Sequence, residues 1–409
     1  MNHPQPRRRF LKVSLGTGLS IGAGLAGSHD VWGHQPLRQA QDKDASKLIQ
    51  GKDKRLIVLK DEPAVMETPL SLINQSYLTP AELLFVRNNQ QPKVMETIAG
   101  VDDDDWSVAV GDKTITVGQL KEMEQSSCDM VLQCSGSGRS LFSLASQTKG
   151  TQWGRGGMGC VKIAGVKFSD VLKKLGVEPN SADRYILANG KDKALPEKED
   201  FLHTLPLDEV VNRSYLVLTL NDKPLPAIHG GPVRLVTPGV YGTMHVKWLA
   251  SLSFQPEETS NYNHVPRYRV PKRPIKPGAD YAFTLQNSNY NWNMKVKSVI
   301  LSPDPLSTHS DESVKIEGVA FNDGSAPIET VLVSVNQGRS WRKAKLMKPD
   351  EKHAWTRFRI SFKLEKGKHE IWSRAVDKFG RSQPLDGSVA WNPRGYEWNG
   401  VDKVEIERV

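Results

Sequence analysis

Strand-like runs follow one another at short intervals in the C-terminal part of the chain, with no helical pattern between them. They occupy residues 296–301, 314–321, 330–335, 341–346, 355–362 and 369–376. Val331, Val333 and Val335 alternate with other positions, as a half-buried strand requires. Short strands that recur about every ten residues between turn residues are typical of a β-sandwich. We therefore predict an immunoglobulin-like sandwich over residues 291–409, without the Cys–Trp–Cys pattern of antibody domains, that serves interaction or dimerisation.

Helix and strand signals alternate over residues 76–270, and this predicts an α+β domain. Runs at 106–110 and 114–117 flank Gly111-Asp112 as in a hairpin, and 168–175 reads as a helix that ends before Gly176. Thr79 and Pro80 are typical of the start of a short helix over 79–84. Residues 36–75 are predicted to form a linker or arm. Residues 271–290 form a second, proline-rich linker.

The N-terminus is typical of an export signal. Arg7-Arg8-Arg9-Phe10-Leu11-Lys12 matches the twin-arginine pattern, and a glycine-rich, weakly apolar run follows. We assign residues 1–35 to the signal and predict a periplasmic protein that is exported in the folded state. No other run reaches the roughly 18 apolar residues of a membrane helix, so no membrane span is predicted.

The net charge of the chain limits which kinds of ligand or partner are expected. Formal net charge is +9 over 409 residues. Residues 1–35 contribute three of these charges, four cations against Asp30, which leaves +6 over the remainder. Such a modest excess suits a small anionic substrate or an acidic protein partner. Basic and aromatic residues do not interleave densely, so nucleic acid is excluded as the expected partner.

A single cysteine stands at the end of a predicted buried strand. Met130-Val131-Leu132-Gln133 leads into Cys134, and a glycine-rich turn then ends at Arg139. Glycines let a bulky group approach the backbone. From these residues alone, Cys134 is a nucleophile, a ligand for a soft or high-valent metal, or a packed thiol. The other cysteines, Cys128 and Cys160, leave a Cys128–Cys134 bridge possible, but no zinc-binding spacing is present.

Several segments in order along the chain resemble the sulfite oxidase family of molybdenum enzymes. In that family a strand ending Leu-Gln-Cys presents the cysteine that binds molybdenum, as residues 132–134 do here. The segments 85–89, 229–234, 236–240 and 245–249, together with 374–377, 383–384 and 391–396, match the family's other motifs. The resemblance covers about residues 75–409 and implies a molybdopterin-binding domain followed by a dimerisation domain.

The resemblance implies a molybdenum–molybdopterin cofactor, with Cys134 as the metal ligand. The cofactor-binding residues that it implies are Phe85, Val86, Arg87, Asn88, Asn89, Cys134, Asp192, His229, Arg234, His245, Val246 and Lys247. The catalytic residues that it implies form an anion pocket: Arg87, Arg139, Lys149, Trp153, Tyr268 and Arg394. Guanidinium groups suit such a pocket because their planar fork matches oxyanion geometry.

The implied activity is oxidation of sulfite to sulfate by oxygen-atom transfer. The sequence contains no C-x-x-C-H haem motif, so electrons are expected to pass to a separate carrier, a c-type cytochrome. A homodimer or a complex with a cytochrome subunit is expected. Two alternatives stay open: a reductase of a sulfoxide or oxyanion on the same cofactor, and a non-catalytic periplasmic binding protein.

Two positions depart from the family pattern. Asn89 stands where the family usually has histidine, and asparagine cannot ionise near neutrality. Residues 135–139 read Ser-Gly-Ser-Gly-Arg in place of the common Ala-Gly-Asn-Arg-Arg. One arginine of that pair is therefore missing, and we expect the pocket to be less positive on this side.

Overall fold

The structure, a computed structural model, describes residues 43–89, 102–192 and 199–409. The predicted export signal, residues 1–35, lies outside these ranges, as does the beginning of the predicted arm. Within them, no helix has the length and apolar character needed to cross a membrane.

Two five-stranded sheets form most of the N-terminal part. The antiparallel sheet that carries the cysteine has the order Lys223–Pro224, Tyr215–Leu220, Met158–Lys167 and Ser126–Gln133, with Arg234–Val236 also paired to Tyr215–Leu220. The second sheet has the order Lys113–Thr116, Ser107–Val110, Leu249–Gln255, Tyr185–Gly190 and Leu202–Pro206. Ser107–Val110 and Lys113–Thr116 pair antiparallel, which confirms the predicted hairpin.

Smaller elements complete this part. A three-stranded sheet contains Ile57–Lys60, Val65–Glu67 and Val86–Arg87, and Arg269–Pro271 pairs with Ser288–Tyr290. The α-helices are short: Ala45–Leu48, Leu70–Ile73, Val117–Lys121, Arg139–Phe142, Phe168–Leu175 and Leu207–Arg213. Single 3₁₀ turns cover Asp103–Asp105, Ala227–His229, Gly242–Met244 and Gly387–Ala390.

The helix Phe168–Leu175 follows from its local sequence. Phe168, Val171 and Leu172 fall on one face at helical spacing and are buried. Gly176 ends the helix with a φ of 63°, a left-handed conformation that glycine adopts without a steric penalty. The prediction of a helix that ends before Gly176 is confirmed.

The predicted helix over residues 79–84 is wrong, because this segment is a turn. Leu84 does donate its backbone N–H to Pro80 O at 2.9 Å, but no helix follows. The Thr79 hydroxyl accepts a hydrogen bond from the backbone N–H of Cys160 at 3.2 Å. The side chain that was expected to cap a helix instead bonds to a neighbouring strand of the cysteine-bearing sheet.

The C-terminal part is a sandwich of two sheets, and the predicted combination of an α+β domain with an immunoglobulin-like sandwich is confirmed. One sheet has the order Lys297–Ser302, Ser313–Phe321, Thr356–Lys363 and Lys345–Met347. The other has the order Thr308–His309, Asp402–Arg408, Gly367–Asp377, Ile328–Ser334 and Arg342–Lys343. The run predicted at 341–346 is thus divided between the two sheets.

The sandwich and the cysteine-bearing sheet share one hydrophobic cluster. Val131 and Cys160 come from the sheet, whereas Val299, Phe321 and Trp355 come from the sandwich, and all are buried. The backbone N–H of Val131 also donates to His353 O at 2.9 Å. The strand that ends at Cys134 is therefore packed directly against the second domain.

Candidate functional site

Backbone hydrogen bonds fix the position of the cysteine. Ser126–Gln133 pairs with Met158–Lys167 along its whole length, and the ladder continues into the bond from Cys134 N to Gly157 O at 2.9 Å. The backbone N–H of Gly136 then points to Cys134 Sγ at 3.4 Å. The side chain of Cys134 is held at the end of a rigid strand rather than on a free loop.

The second domain supports the turn that follows, which we call the cysteine loop (residues 134–139). Glu397 N donates to Ser135 O at 2.7 Å, and Lys297 Nζ donates to Ser137 O at 3.3 Å. Gly138 has a φ of 92°, and a Cβ there would lie 2.7 Å from Trp398. Only glycine permits both this backbone conformation and this close approach.

A buried carboxylate holds residues 154–156, the segment that precedes the partner of Cys134 in the backbone ladder. Glu67 accepts backbone hydrogen bonds from Gly154 at 2.7 Å and from Gly156 at 2.6 Å. Burial raises the pKa of Glu67, and these two N–H groups act in the opposite direction. This segment leads directly to Gly157, whose carbonyl accepts from Cys134 N.

Gly156→Ala is expected to destabilise the protein by several kcal/mol, because a Cβ at this position would lie 1.8 Å from Thr68 O and the backbone must shift. Unfolding in increasing denaturant, followed by circular dichroism, measures the loss in free energy of unfolding. The control is Gly380→Ala, which has open space around it and a φ of 78°, and should cost about 1 kcal/mol. Equal losses for both variants would contradict the packing argument.

The three cysteines are all free and buried, so the possible Cys128–Cys134 bridge does not form. Burial raises the pKa of Cys128 and of Cys160 to about 12, which makes both inert packed thiols. Cys134, by contrast, lies at the edge of a cavity.

This central cavity encloses about 720 Å³ of space, which includes space open to solvent. It is lined by Phe85, Arg87, Asn88, Asn89, Leu132, Cys134, Asp192, Phe201, His229, Arg234, Gly242, Thr243, His245, Val246, Lys247, Trp248 and Tyr268. All the predicted cofactor-binding residues except Val86 are among them. Val86 faces a separate cluster beneath the three-stranded sheet. The role of each residue toward a cofactor stays a prediction.

One end of the cavity is strongly basic. Arg234 is buried and donates to His229 O at 3.1 Å, and burial lowers its pKa to about 10. Lys247 donates to Asn88 Oδ1 at 2.7 Å and to Ile228 O at 2.8 Å. Burial and the neighbouring cations hold the pKa of Lys247 well below its usual range. This crowding of positive groups favours an anionic ligand.

A lysine from the N-terminal arm reaches the same end, and sequence reasoning missed it. Lys52 Nζ lies 3.1 Å from His229 Nε2 and donates to the carbonyls of Ala81 and Leu84, each at 2.6 Å. Burial lowers the pKa of Lys52 to about 7. No periodicity or motif around Lys52 points to this contact.

Asp192 is the carboxylate that the described lining contributes against these cations. Its side chain is buried, and burial raises its pKa to about 7. At neutral pH it therefore offsets the positive charge only in part. Because burial also lowers the pKa of Lys52 and of Lys247, an anionic ligand at this end would favour the charged form of both lysines.

Unpartnered polar atoms show that the cavity suits a polar, anionic group. Asn88 Nδ2 and Arg234 Nε are buried donors without a hydrogen-bond partner, and His245 Nδ1 is a buried acceptor without one, because His245 Nε2 donates to Thr237 O at 3.0 Å. Such groups are costly unless a ligand bonds to them. In the described ranges no cluster of three or more His, Cys, Asp or Glu side chains could hold a metal. A cofactor that brings its own ligands for a metal at Cys134 fits these residues, and the phosphate of molybdopterin suits the basic end.

The cavity lining also presents an arginine and a tyrosine. Tyr268 Oη donates to Asn89 Oδ1 at 2.7 Å, and Arg87 Nη2 lies 3.3 Å from Tyr268 Oη. Tyr268 has a φ of 52°, a left-handed conformation that costs a bulky residue about 1 kcal/mol or more. Strain of this kind is concentrated at functional sites. The predicted pair Arg87 and Tyr268 is brought together on the cavity surface.

Four predicted anion-pocket residues lie outside the lining of the central cavity. Arg139 is buried and donates to Arg394 O and Thr151 O, both at 2.7 Å. Lys149 is exposed and its backbone N–H donates to Pro393 O. Trp153 is fully buried and packs edge-to-face on Phe85 with ring centres 5.9 Å apart. The roles of Arg139, Lys149, Trp153 and Arg394 stay predictions.

Tyr396, which sequence reasoning did not single out, connects the two groups of residues. Its ring stacks on Tyr268 with centroids 5.3 Å apart, and the guanidinium of Arg139 lies 5.0 Å from its centroid. Tyr396 belongs to the sandwich segment that contains Arg394. The second domain thus packs against the tyrosine that lines the cavity.

Comparison with known proteins matches both parts of the chain. Residues 95–263 match the oxidoreductase molybdopterin binding domain, and residues 288–409 match the Mo-co oxidoreductase dimerisation domain. Mitochondrial sulfite oxidase of Drosophila melanogaster is 29% identical over 92% of this chain, and that of Homo sapiens is 28% identical over 86%. The chain spans 65% of the length of each of these two relatives.

The fold is also that of a solved structure. The sulfane dehydrogenase SoxCD from Paracoccus pantotrophus superposes with a TM-score of 0.71 at 23% identity, covering 93% of this chain and 92% of that chain. With the two matched domains in the same order and a cavity that joins a single cysteine to an unbalanced set of cations, the chain belongs to the sulfite oxidase family of molybdopterin-dependent oxidoreductases.

Proposed function

We propose that this protein oxidises sulfite to sulfate by oxygen-atom transfer on a molybdenum cofactor. The observation that carries the proposal is that Cys134, the Arg87–Tyr268 pair and the basic end all open on one cavity. A soft ligand for the metal and donors for an oxyanion thus lie in the same space. The metal ligand and the oxyanion donors together suit a small anion that reacts at the metal.

We assign a role to each side chain from its position in the cavity. Lys247, Arg234 and His245 at the basic end would hold the phosphate and polar edges of the pterin. Cys134 would hold the metal, and Arg87 with Tyr268 would orient the sulfite oxygens. When bound, the molybdenum cofactor supplies the two-electron redox chemistry of the reaction. The protein contributes orientation and charge stabilisation.

We extend the proposal to export and partners. The twin-arginine pattern supports a periplasmic location reached in the folded state, which suits a protein whose cofactor is inserted before export. The proposed electron acceptor is a c-type cytochrome, and the proposed assembly is a homodimer or a complex with a cytochrome subunit. Cell fractionation and size-exclusion chromatography with light scattering test location and assembly.

Purified protein is expected to reduce ferricytochrome c when sulfite is added, with two cytochromes reduced for each sulfite consumed. Sulfate is the expected product, since sulfite gives up two electrons to two cytochromes as it gains one oxygen atom from water, with release of two protons. Absorbance of reduced cytochrome and ion chromatography of sulfate measure both sides. Heat-denatured protein controls for direct reduction of cytochrome by sulfite. Sulfite-independent or absent reduction would contradict the proposal.

The two alternatives give different results in the same set of measurements. A reductase would oxidise a reduced viologen dye in the presence of a sulfoxide or nitrate and show no sulfite-dependent cytochrome reduction. A binding protein would carry no molybdenum after purification. Metal analysis by mass spectrometry should give about one molybdenum per chain for an enzyme with one ligating thiolate.

A further inference from the structure

Three hydrogen-bond donors converge on a single oxygen at the cavity wall. Asn89 Oδ1 lies 2.7 Å from Tyr268 Oη, 2.5 Å from Arg87 Nη2 and 3.2 Å from Arg267 Nη2. An amide oxygen offers two lone pairs, so three donors exceed its capacity. We call Arg87, Arg267 and Tyr268 the donor cluster. Arg87, Asn89 and Tyr268 line the cavity, whereas Arg267 reaches it only through its contact with Asn89.

The donor cluster is also unbalanced in charge. In the parts of the chain that the structure describes, neither Arg87 nor Arg267 has a carboxylate within 4.0 Å. Arg269, two residues further along, differs: it is only 1% exposed and pairs with Glu258 at 2.8 Å. Two half-buried guanidinium groups that share one neutral oxygen favour a ligand with more negative charge than an amide.

The geometry of Arg267 is fixed from several sides. Its Nη1 donates to Asn263 Oδ1 at 2.8 Å, and its guanidinium lies 5.2 Å from the ring centroid of Tyr268 and 5.8 Å from that of Tyr262. Nη2 is therefore directed toward Asn89 with little freedom left to lose on binding. A pre-oriented guanidinium binds an oxyanion at lower entropic cost than a flexible one.

We propose that Arg267 is a further oxyanion-binding residue of this site. An oxyanion that enters the cavity takes the place of the Asn89 amide oxygen and accepts hydrogen bonds from Arg87, Arg267 and Tyr268 together. Asn89 occupies the donor cluster when no anion is bound and therefore competes with the ligand. This inference rests on the proposed function only for the choice of sulfite as the reacting anion.

The test uses sodium sulfate as an unreactive probe and isothermal titration calorimetry on the cofactor-containing protein. Arg267→Gln is expected to raise the dissociation constant of sulfate by roughly 10- to 100-fold, the effect of losing a charged hydrogen bond. Arg267→Lys should recover part of the affinity, since it keeps the charge but not the fork. Asn89→Ala should lower the dissociation constant, because the competing amide is gone.

Steady-state kinetics with sulfite supply a second readout. Arg267→Gln should raise KM by a similar factor and change kcat much less. The matched control is Arg273→Gln, an exposed arginine on the same segment, which should change neither constant. If Arg267→Gln does not fold, Arg267→Lys and Asn89→Ala still test the proposal in opposite directions.

The possible failures are distinguishable. Unchanged sulfate affinity and unchanged sulfite KM in a folded Arg267→Gln protein would overturn the role of Arg267, with sulfite oxidation intact. Loss of sulfate affinity in Arg267→Gln, in a protein that never oxidises sulfite, would support the anion site and reject the proposed function. An Asn89→Ala protein with weaker sulfate binding would overturn the idea that Asn89 competes for the donor cluster.

Discussion

Cys134→Ser is expected to give a folded protein that carries no molybdenum and oxidises no sulfite. A serine hydroxyl is a hard donor that stays protonated near neutral pH, whereas the metal requires a soft anionic ligand. Loss of a group that merely orients a ligand costs a metal site roughly 10- to 100-fold in affinity, so loss of the ligand itself should cost more. Mass spectrometry of bound molybdenum and the cytochrome assay measure the two effects.

The fold should survive this substitution. Serine is close to cysteine in size, and the hydrogen bonds of residue 134 to Gly157 and Ser137 are made by the backbone. Thermal unfolding followed by circular dichroism checks this. Cys128→Ala is the matched control. Cys128 is a buried, unreactive thiol on the strand that leads to Cys134, so the Cys128→Ala protein should retain molybdenum. A molybdenum content in Cys134→Ser equal to that of the unmodified protein would reject Cys134 as the ligand.

Arg234→Met is expected to act in opposite directions on the cofactor-free and cofactor-containing proteins. Without cofactor, Arg234 is a buried cation with an unpartnered Nε and a carbonyl as its partner. Replacing such a charge with an apolar side chain should stabilise the cofactor-free protein, as replacement of buried ion pairs by apolar side chains often does by about 1 to 4 kcal/mol. The same change removes a cation that would face the cofactor phosphate, so cofactor occupancy should fall.

Two preparations measure this pair of effects. Protein made in a host that cannot synthesise molybdopterin gives the cofactor-free melting temperature, and protein from a normal host gives the molybdenum content. The control is Arg155→Met. Arg155 pairs with Asp402 at 2.8 Å with both side chains largely buried, and its loss should destabilise both forms by roughly 3 to 5 kcal/mol. A lower melting temperature of the cofactor-free Arg234→Met protein would contradict the argument, because it would show that the charge of Arg234 is already compensated.

Local pattern was sufficient for much of the fold. Alternating Val331, Val333 and Val335 and the turn residues between runs predicted the sandwich, because burial of one face of a strand imposes a period of two. The apolar run before Cys134 predicted the strand that leads to this residue, because a short continuous apolar run is typical of a buried strand. The turn at 79–84 shows where such reasoning fails, since the Thr79 hydroxyl bonds to the strand at Cys160 and not to its own segment.

For the site, sequence alone determined the identity of the cysteine and, through the family resemblance, most residues that line the cavity. It did not show that Lys52 from the arm would reach His229, or that Arg267 would share an oxygen with Arg87 and Tyr268. Periodicity reports only which face of an element is buried. Contacts between residues 177 or 178 positions apart depend on how the elements pack, and only the tertiary structure decided them.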